Sequence, residues 1–587
     1  MQNAETVLGV LRDRGRRGLP CDELYRQMFN PHLYQHAYGR IYSNQGAMTP
    51  GACGETADGM SLAKIGSIIG ALRAERFRFQ PVKRVYIPKK SGKLRPLGLP
   101  SWSDKLVGEV IRLLLEAYYE PQFSGRSHGF RPGRGCHTAL TEVAVGWSGT
   151  TWFVEGDISD CFGSLDHDVL LSILAEKIHD NRFLKLLRNM LQAGYLEDWE
   201  WNATLSGAPQ GGVASPILSN IYLDRLDKFV ETVLVPEYTR GEGRAPSLAY
   251  RQVKNAFRRA RHLGDVAAAR ELRQQLRRLP SGDPRDPGYR RLRYIRYADD
   301  HLLGFAGPRA EAEEIKARLA RFLREELKLE LNQAKTLITH ARTGAARFLG
   351  YEITVQHSRD RPQVNGGIAL RVPKDVIKAK CAPYLAHGKP ERRTGLLNLS
   401  DLLIIGSYGA EYRGVVQYYL LAGNVSQLNR LEWVASTSML KTLAAKHGST
   451  VRKMARKYKA KILTPHGLRT CFEASQPRAG RKPLATRFGG IPLKRQKKAV
   501  LDDRLPVPAT GRKELIIRLL AGRCEWCRRH GPVEVHQVRA LADLAEPGQP
   551  QPAWALLMAT MRRKTLVVCA SCHGVIHGGQ PDAALTA

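Results

Sequence analysis

Two aspartates stand side by side in Tyr297-Ala298-Asp299-Asp300, between Arg293-Tyr294-Ile295-Arg296 and His301-Leu302-Leu303-Gly304-Phe305. Both flanks are rich in β-formers, so the stretch reads as strand, tight turn, strand, with the carboxylates at the turn. Neighbouring carboxylates repel, and a fold gains little from pairing them unless a cation neutralises them. Mg²⁺ prefers oxygen ligands and keeps several waters, so one or two carboxylates plus substrate phosphates complete its shell. That is what a two-metal nucleotidyl-transfer site needs. A third carboxylate should come from a separate strand, and Asp157 ends the apolar run Thr151-Trp152-Phe153-Val154-Glu155-Gly156. Far downstream, Cys524-Glu525-Trp526-Cys527 and Cys569-Ala570-Ser571-Cys572 form two Cys-x2-Cys pairs separated by 41 residues. Four thiolates so spaced suit one closed tetrahedral zinc site in a reduced compartment.

With Asp157-Ile158-Ser159-Asp160-Cys161-Phe162 joined to the Asp-Asp turn, the chain resembles the reverse transcriptase family. The palm of that family holds one metal-binding Asp on its first strand and two on a hairpin. The resemblance implies Asp157, Asp299 and Asp300 as catalytic ligands of two Mg²⁺, with dNTPs as substrates. Phe162 falls where these enzymes carry an aromatic gate beneath the sugar 2′ position, which would exclude ribonucleotides by sterics. Asp160, Asp166 and Asp168 read as turn and cap residues. Val85-Tyr86-Ile87-Pro88-Lys89-Lys90-Ser91-Gly92-Lys93-Leu94-Arg95-Pro96-Leu97 resembles the fingers hairpin, with Lys89 and Arg95 facing the triphosphate, where they would offset charge moving onto pyrophosphate. Ser127-His128-Gly129-Phe130-Arg131-Pro132 matches the following block, and Ala208-Pro209-Gln210-Gly211 the loop whose Gln210 contacts the incoming nucleotide. Leu331-Asn332-Gln333-Ala334-Lys335 resembles the block whose lysine protonates the leaving group. Arg347-Phe348-Leu349-Gly350-Tyr351 looks like the primer grip.

These residues need several domains to position them, and 587 residues supply enough chain for more than one core. The expected fold is α+β and multidomain: a right-hand polymerase of fingers and palm, a helical thumb, and a small zinc-binding ββα-metal module. A net charge of +36 and a pI near 10.0 point to a polyanionic partner. No apolar run of membrane-spanning length occurs, and Glu5, Asp13 and Glu23 interrupt the N-terminus, so neither a transmembrane helix nor a signal peptide is expected. Isolated cysteines at 21, 53, 136, 161, 381 and 471 fit a cytoplasmic protein. The expected divisions are 1–80 (N-terminal extension and start of the fingers), 81–365 (fingers and palm), 366–475 (thumb), 476–513 (linker and DNA-binding region) and 514–587 (zinc module). Between 240 and 296 lies an insertion with sixteen Lys or Arg against five Asp or Glu. Its centre, 254–278, is Ala-, Leu- and Arg-rich without proline and reads as helix. So much like charge on one segment is repulsive until phosphates neutralise it, which points to contact with a structured RNA.

Beyond the palm, 397–419 reads helical and contains Tyr408-Gly409-Ala410-Glu411-Tyr412-Arg413, followed by Leu431-Glu432-Trp433-Val434 and Met439-Leu440-Lys441. This order resembles the maturase (X) domain of bacterial group II intron-encoded proteins, and 28–60 resembles their N-terminal extension. Interleaved with the C-terminal cysteines, Glu534-Val535-His536-Gln537-Val538 and Cys572-His573-Gly574-Val575-Ile576-His577 resemble an HNH endonuclease. By that resemblance His536, His573 and His577 hold a divalent metal, while Cys524, Cys527, Cys569 and Cys572 hold structural zinc. Many such nucleases carry a second His directly after the first metal-site His as general base. Gln537 stands there instead, and its amide has no useful basicity, so DNA binding is implied and cleavage is left open. The implied function is an RNA-directed DNA polymerase and maturase that binds its intron RNA, assists splicing and copies the RNA into cDNA at a DNA target. A maturase that only chaperones RNA and a defence-associated reverse transcriptase are the alternatives. Three converging carboxylates argue against the first, and the maturase-like thumb with its nuclease tail against the second.

Overall fold

The structure is a computed structural model that describes residues 2–587 except 89–91, 93, 199, 205, 208–210, 284–285, 359–363, 466, 479–480, 501–513, 545–550 and 579–587. Lys89 and Gln210 lie outside the described residues.

An antiparallel sheet in the order Arg291–Tyr297, Asp300–Ala306, Trp152–Gly156, Ile338–His340 forms the palm. Its hairpin sets Tyr297 opposite Asp300, and its central pair runs from Trp152 opposite Phe305 to Gly156 opposite His301. One more step in that register brings Asp157 to Asp300. Helices Ser215–Phe229 and Arg309–Leu327 pack beside it. The second buries Ala312, Ile315, Leu319, Leu323 and Leu327, the spacing that puts one apolar stripe on a helix. Each of those three leucines is worth roughly 1.5–3 kcal/mol of burial, enough together to fix the helix against its neighbours. Phe229 and Phe322 stack between the two helices at 4.1 Å.

The fingers hairpin lies where the sequence puts it: Val82–Pro88 pairs with Leu94–Leu99, with Ile87 opposite Arg95. Tyr195–Glu197 and Glu200–Asn202 extend that sheet. The insertion is two helices, Leu248–His262 and Val266–Arg278, which together span the segment 254–278 read as helical. Gly264 at φ +72° breaks the run, and the Asp265 carboxylate caps the second helix by accepting the Ala268 amide at 2.9 Å. Among their described residues only Ala260 is buried, so the hairpin presents its arginines to solvent.

The thumb departs from expectation. Helices Asp401–Tyr418 and Asn429–Lys446 form as read; a further helix, Val451–Tyr458, follows, and the chain then builds a sheet from Lys459–Thr464, Gly467–Arg478 and Arg481–Gly489. The thumb is therefore not wholly helical. Lys459–Thr464 alternates exposed and half-buried residues, the two-residue period of a strand. The middle strand crosses position 475, so a boundary there divides one sheet. Phe488 seats that sheet on the first thumb helix, 5.2 Å from the Tyr412 ring.

At the C-terminus, strands Val533–Gln537 and Thr565–Cys569 and helix Ala570–Ile576 make a ββα unit. A third strand joins it from the far end of the chain. Met60–Ser61 pairs antiparallel with the first of these strands, Met60 opposite Val535 and Ser61 opposite Glu534. Helix Glu514–Leu520 inserts Leu515, Ile516 and Leu519 into the core that also holds Leu33, Tyr38 and Trp102 of the N-terminal helices. The C-terminal unit is thus seated on the N-terminal extension by strand pairing and shared apolar burial.

Candidate active site and metal centres

Ala298 sits at φ +55°, a left-handed conformation uncommon outside glycine. A buried cation holds it there. Arg296, with no exposed surface, donates from Nη1 to the Ala298 carbonyl at 2.7 Å and to Asn220 Oδ1 at 3.2 Å. Its Nε and Nη2 reach Asp227 Oδ1 and Oδ2 at 2.7 and 2.5 Å, and Nη2 also donates to Ser127 Oγ at 2.9 Å. The Tyr294 hydroxyl donates to Asp227 Oδ1 at 2.8 Å, so the buried charge pair is fully hydrogen-bonded. Gly129 lies so close that a Cβ there would overlap the Ala298 amide nitrogen, and a Cβ on Gly156 would overlap the His301 ring. The residue before Asp157 must therefore be glycine as long as His301 lies behind it. Sequence reasoning gave Arg296, Asp227, Asn220 and His301 no role. Its strand carries three arginines, Arg291, Arg293 and Arg296, so the sequence does not single Arg296 out.

The charge of the carboxylates is only partly compensated. Burial, with the charge of Asp157, raises the Asp299 carboxyl above its ordinary range against the pull of Arg95. Asp300 is raised to about 6 by burial and by Asp299 and Asp157, with Lys335 opposing. Lys335 Nζ donates to Asp157 Oδ2 at 2.8 Å. Among the described residues, the sets of donor atoms lying within 4.8 Å of one another do not include these three aspartates. Carboxylates grouped so that their charges raise Asp299 and Asp300 are a donor set that a divalent cation fits. His301, fully buried, is lowered to about 4 by burial and stays neutral, its Nδ1 3.3 Å from the Asp299 carbonyl. Phe162 is half-buried and meets Phe130 edge-on at 6.3 Å. The Gly207 amide donates to the Leu165 carbonyl at 2.7 Å, tying the segment after Phe162 to the start of the Pro-Gln-Gly loop. Arg95 is exposed on the fingers hairpin, close enough for its charge to act on Asp299. Asp166 caps the helix His167–Ala175, accepting the Asp168 and Val169 amides at 2.9 Å.

Two further clusters lie in the C-terminal unit. The sulfurs of Cys524, Cys527, Cys569 and Cys572 all lie within 4.8 Å of one another. Burial opposes ionisation of Cys527, but the Arg529 amide and the neighbouring thiols bring it down to about 7. Four sulfurs so grouped, one of them readily ionised, fit zinc. The second cluster gathers His536, His573 and His577, and with them Asp58, which sequence reasoning passed over. Its signal was the Asp58-Gly59 dipeptide, a turn mark ahead of a strand. Burial would raise the Asp58 carboxyl, yet the His536 and His573 side chains and the Gln537 amide hold it well below the usual range. Gln537 faces the N-terminal extension: its side-chain amide donates to the Tyr42 carbonyl at 2.7 Å. Thr565 stands opposite it across the strand pair.

Family comparison agrees with this geometry. Residues 87–353 match the reverse transcriptase (RNA-dependent DNA polymerase) family, 371–481 the type II intron maturase family, and 524–573 the AI2M/AI1M-like HNH endonuclease family. The group II intron-encoded protein LtrA of Lactococcus lactis subsp. cremoris is 37% identical over 94% of this chain and 95% of its own. The chain belongs to the group II intron-encoded proteins. It combines a reverse transcriptase, that is an RNA-directed DNA polymerase, with a splicing maturase domain and an HNH endonuclease domain. An uncharacterized 91 kDa protein in the cob intron of Schizosaccharomyces pombe is 33% identical over 98% of this chain and 73% of its own. A COX1/OXI3 intron 2 protein of Saccharomyces cerevisiae is 31% identical over 93% and 64%. A telomerase chain of Candida albicans overlays 66% of this chain and 65% of its own at a TM-score of 0.32 and 12% identity. No described helix is long and apolar enough to cross a membrane.

Proposed function

We propose that this group II intron-encoded protein copies its intron RNA into cDNA at a DNA target by target-primed reverse transcription. Asp157, Asp299 and Asp300 would hold two Mg²⁺, which would supply activation of the primer 3′-OH and charge stabilisation for the departing pyrophosphate. The chain's own residues do the rest. Lys89 and Arg95 bind the triphosphate, Gln210 contacts the nucleotide, Phe162 excludes a 2′-hydroxyl, and Lys335 hands a proton to the leaving group. Lys335 is paired with Asp157 here, and that bond raises its pKa, so it enters the reaction protonated. The insertion and thumb bind intron RNA, zinc in the four-cysteine cluster stabilises the C-terminal domain, and that domain grips target DNA. The work is that of a cytoplasmic bacterial ribonucleoprotein.

The observation that carries this reading is the register of the palm sheet, which brings the Asp157 strand beside the Asp299-Asp300 turn with Arg95 acting on it. Primer extension on an RNA template tests it. Asp299→Ala with Asp300→Ala should lower the rate by orders of magnitude while intron RNA binding persists. Extension near the wild-type rate would remove the site.

A further inference from the structure

We propose that Asp58, from the N-terminal extension, is the fourth ligand of the histidine cluster. The ion it completes is then a closed His₃Asp clasp joining the two ends of the chain, not an open catalytic site. This rests on the reading that His536, His573 and His577 hold a metal. The carboxylate of Asp58 lies 3.2 Å from His536 Nδ1, 3.3 Å from His573 Nε2 and 2.8 Å from His577 Nε2. Zinc bound at 2.0–2.2 Å by such donors in tetrahedral geometry sets them about 3.3 Å apart. The Asp58–histidine contacts and the 3.2 Å between His573 Nε2 and His577 Nε2 are near that spacing, and all four donor groups lie within 4.8 Å of one another.

The surroundings ask for a cation. His536 Nε2 has no hydrogen-bond partner, and Nδ1 meets only the Asp58 carboxylate at 3.2 Å, although the side chain is only 5% exposed. Leaving a buried ring nitrogen unpaired is costly, and a bound ion would remove part of that cost. His573 Nε2 and His577 Nε2 face each other at 3.2 Å, with Asp58 against both. Outer partners orient the ligands, as metal-binding imidazoles and carboxylates require. Glu534 Oε1 lies 2.7 Å from His573 Nδ1, and the Gln537 amide donates to Asp58 Oδ1 at 2.7 Å. Asp58 is held in place by its own neighbours: the Gly59 amide donates to the Val535 carbonyl at 3.0 Å, and buried Met60 pairs with Val535.

Three imidazoles and one carboxylate select zinc over magnesium. A catalytic zinc keeps a coordination position for water or substrate, whereas four protein ligands fill the tetrahedron. Gln537 supplies no base beside it. Both features describe an ion that fastens the nuclease domain to the N-terminal extension.

The test uses the full-length protein equilibrated with buffered zinc, with metal counted per chain. Wild type should hold two ions, and Cys524→Ser should lose only the thiolate-bound one. Asp58→Asn keeps an acceptor for the Gln537 amide but removes the charge, and should weaken the other ion by at least tenfold. Cobalt substitution reads the geometry. In Cys524→Ser, wild type at Asp58, the remaining ion should show a four-coordinate spectrum that Asp58→Asn converts to the weaker spectrum of a water-expanded site. A single ion per chain in wild type, unaffected by His573→Ala, would reject the histidine metal site itself. Loss of one ion in His573→Ala with affinity and spectrum unchanged in Asp58→Asn would keep the metal and reject Asp58 as its ligand.

Discussion

The left-handed turn that carries Asp299 and Asp300 depends on one buried guanidinium, and Arg296→Met removes it. Two costs follow. Asp227, with no exposed surface, is left charged without its cation, and breaking a buried pair in this way costs about 3–5 kcal/mol. The Ala298 carbonyl also loses its 2.7 Å donor while φ stays at +55°. A chain of several domains does not unfold in one step, so the loss should be read locally, by hydrogen exchange of the amides in Arg291–Tyr297 and Asp300–Ala306. Protection there should fall by about 3–5 kcal/mol in Arg296→Met. Adding Asp227→Leu removes the stranded charge, and protection should recover in large part, short of full because the Tyr294 hydroxyl loses its acceptor. Extension should not recover with it, because nothing holds the turn. A loss below about 1 kcal/mol in the single variant would show that the pair is not a buried, coupled unit. Extension that returned together with protection would show that the turn needs no donor at Ala298.

Four further outcomes can be measured. Phe162→Ala should raise ribonucleotide over deoxyribonucleotide incorporation, and an unchanged ratio would make the Phe130–Phe162 contact purely structural. Intron RNA affinity should fall with salt by about 0.7 to 0.9 in log K per log salt for each phosphate neutralised, and replacing Arg258, Arg261, Arg270 and Arg277 should flatten that slope. Since Asp300 is raised to about 6, its metal-ready anion prevails only above that pH, and the Mg²⁺ needed for half-maximal extension should climb as pH falls through it; a pH-independent requirement would contradict the only partly compensated charge. Gln537→His alone should leave nicking of target DNA undetectable while Asp58 completes the metal shell, and efficient nicking by this variant would show an open position at the ion.

The palm was legible because its chemistry is local. Two carboxylates in a strand-turn-strand pattern need a cation wherever the turn sits, and the order of the surrounding blocks supplied the rest. The scaffold beneath was not legible, because Arg296, one of three arginines in its strand, reads the same in sequence whether it points to solvent or to a buried Asp227 69 positions earlier. In the thumb, aromatic and basic helices were readable by their period. The strand Lys459–Thr464 announces itself only by alternation, and the two strands that follow it to Gly489 lack even that regular period. The insertion showed the reverse limit, since composition gave helix but a single Gly264 decides that it is two.

The histidine cluster is where sequence and structure differ most in consequence. Read along the chain, Gln537 is a missing base and the domain a damaged nuclease. In the fold, the same residue lies across an interface: its main-chain amide holds Asp58, 479 positions away, and its side chain holds the carbonyl of Tyr42. An imidazole at 537 would have to give up the Tyr42 contact to face a metal. The substitution that removes basicity is thus also one that fits the docked arrangement, in which Met60–Ser61 extends the nuclease sheet and Leu515, Ile516 and Leu519 enter the N-terminal core. Long-range pairing of this kind leaves no periodic trace in sequence, because a two-residue strand and an Asp-Gly turn carry too little pattern to name their partner. What the chain places next to the metal is therefore set by the fold of its two ends together, and the chemistry of the C-terminal domain cannot be assigned from that domain alone.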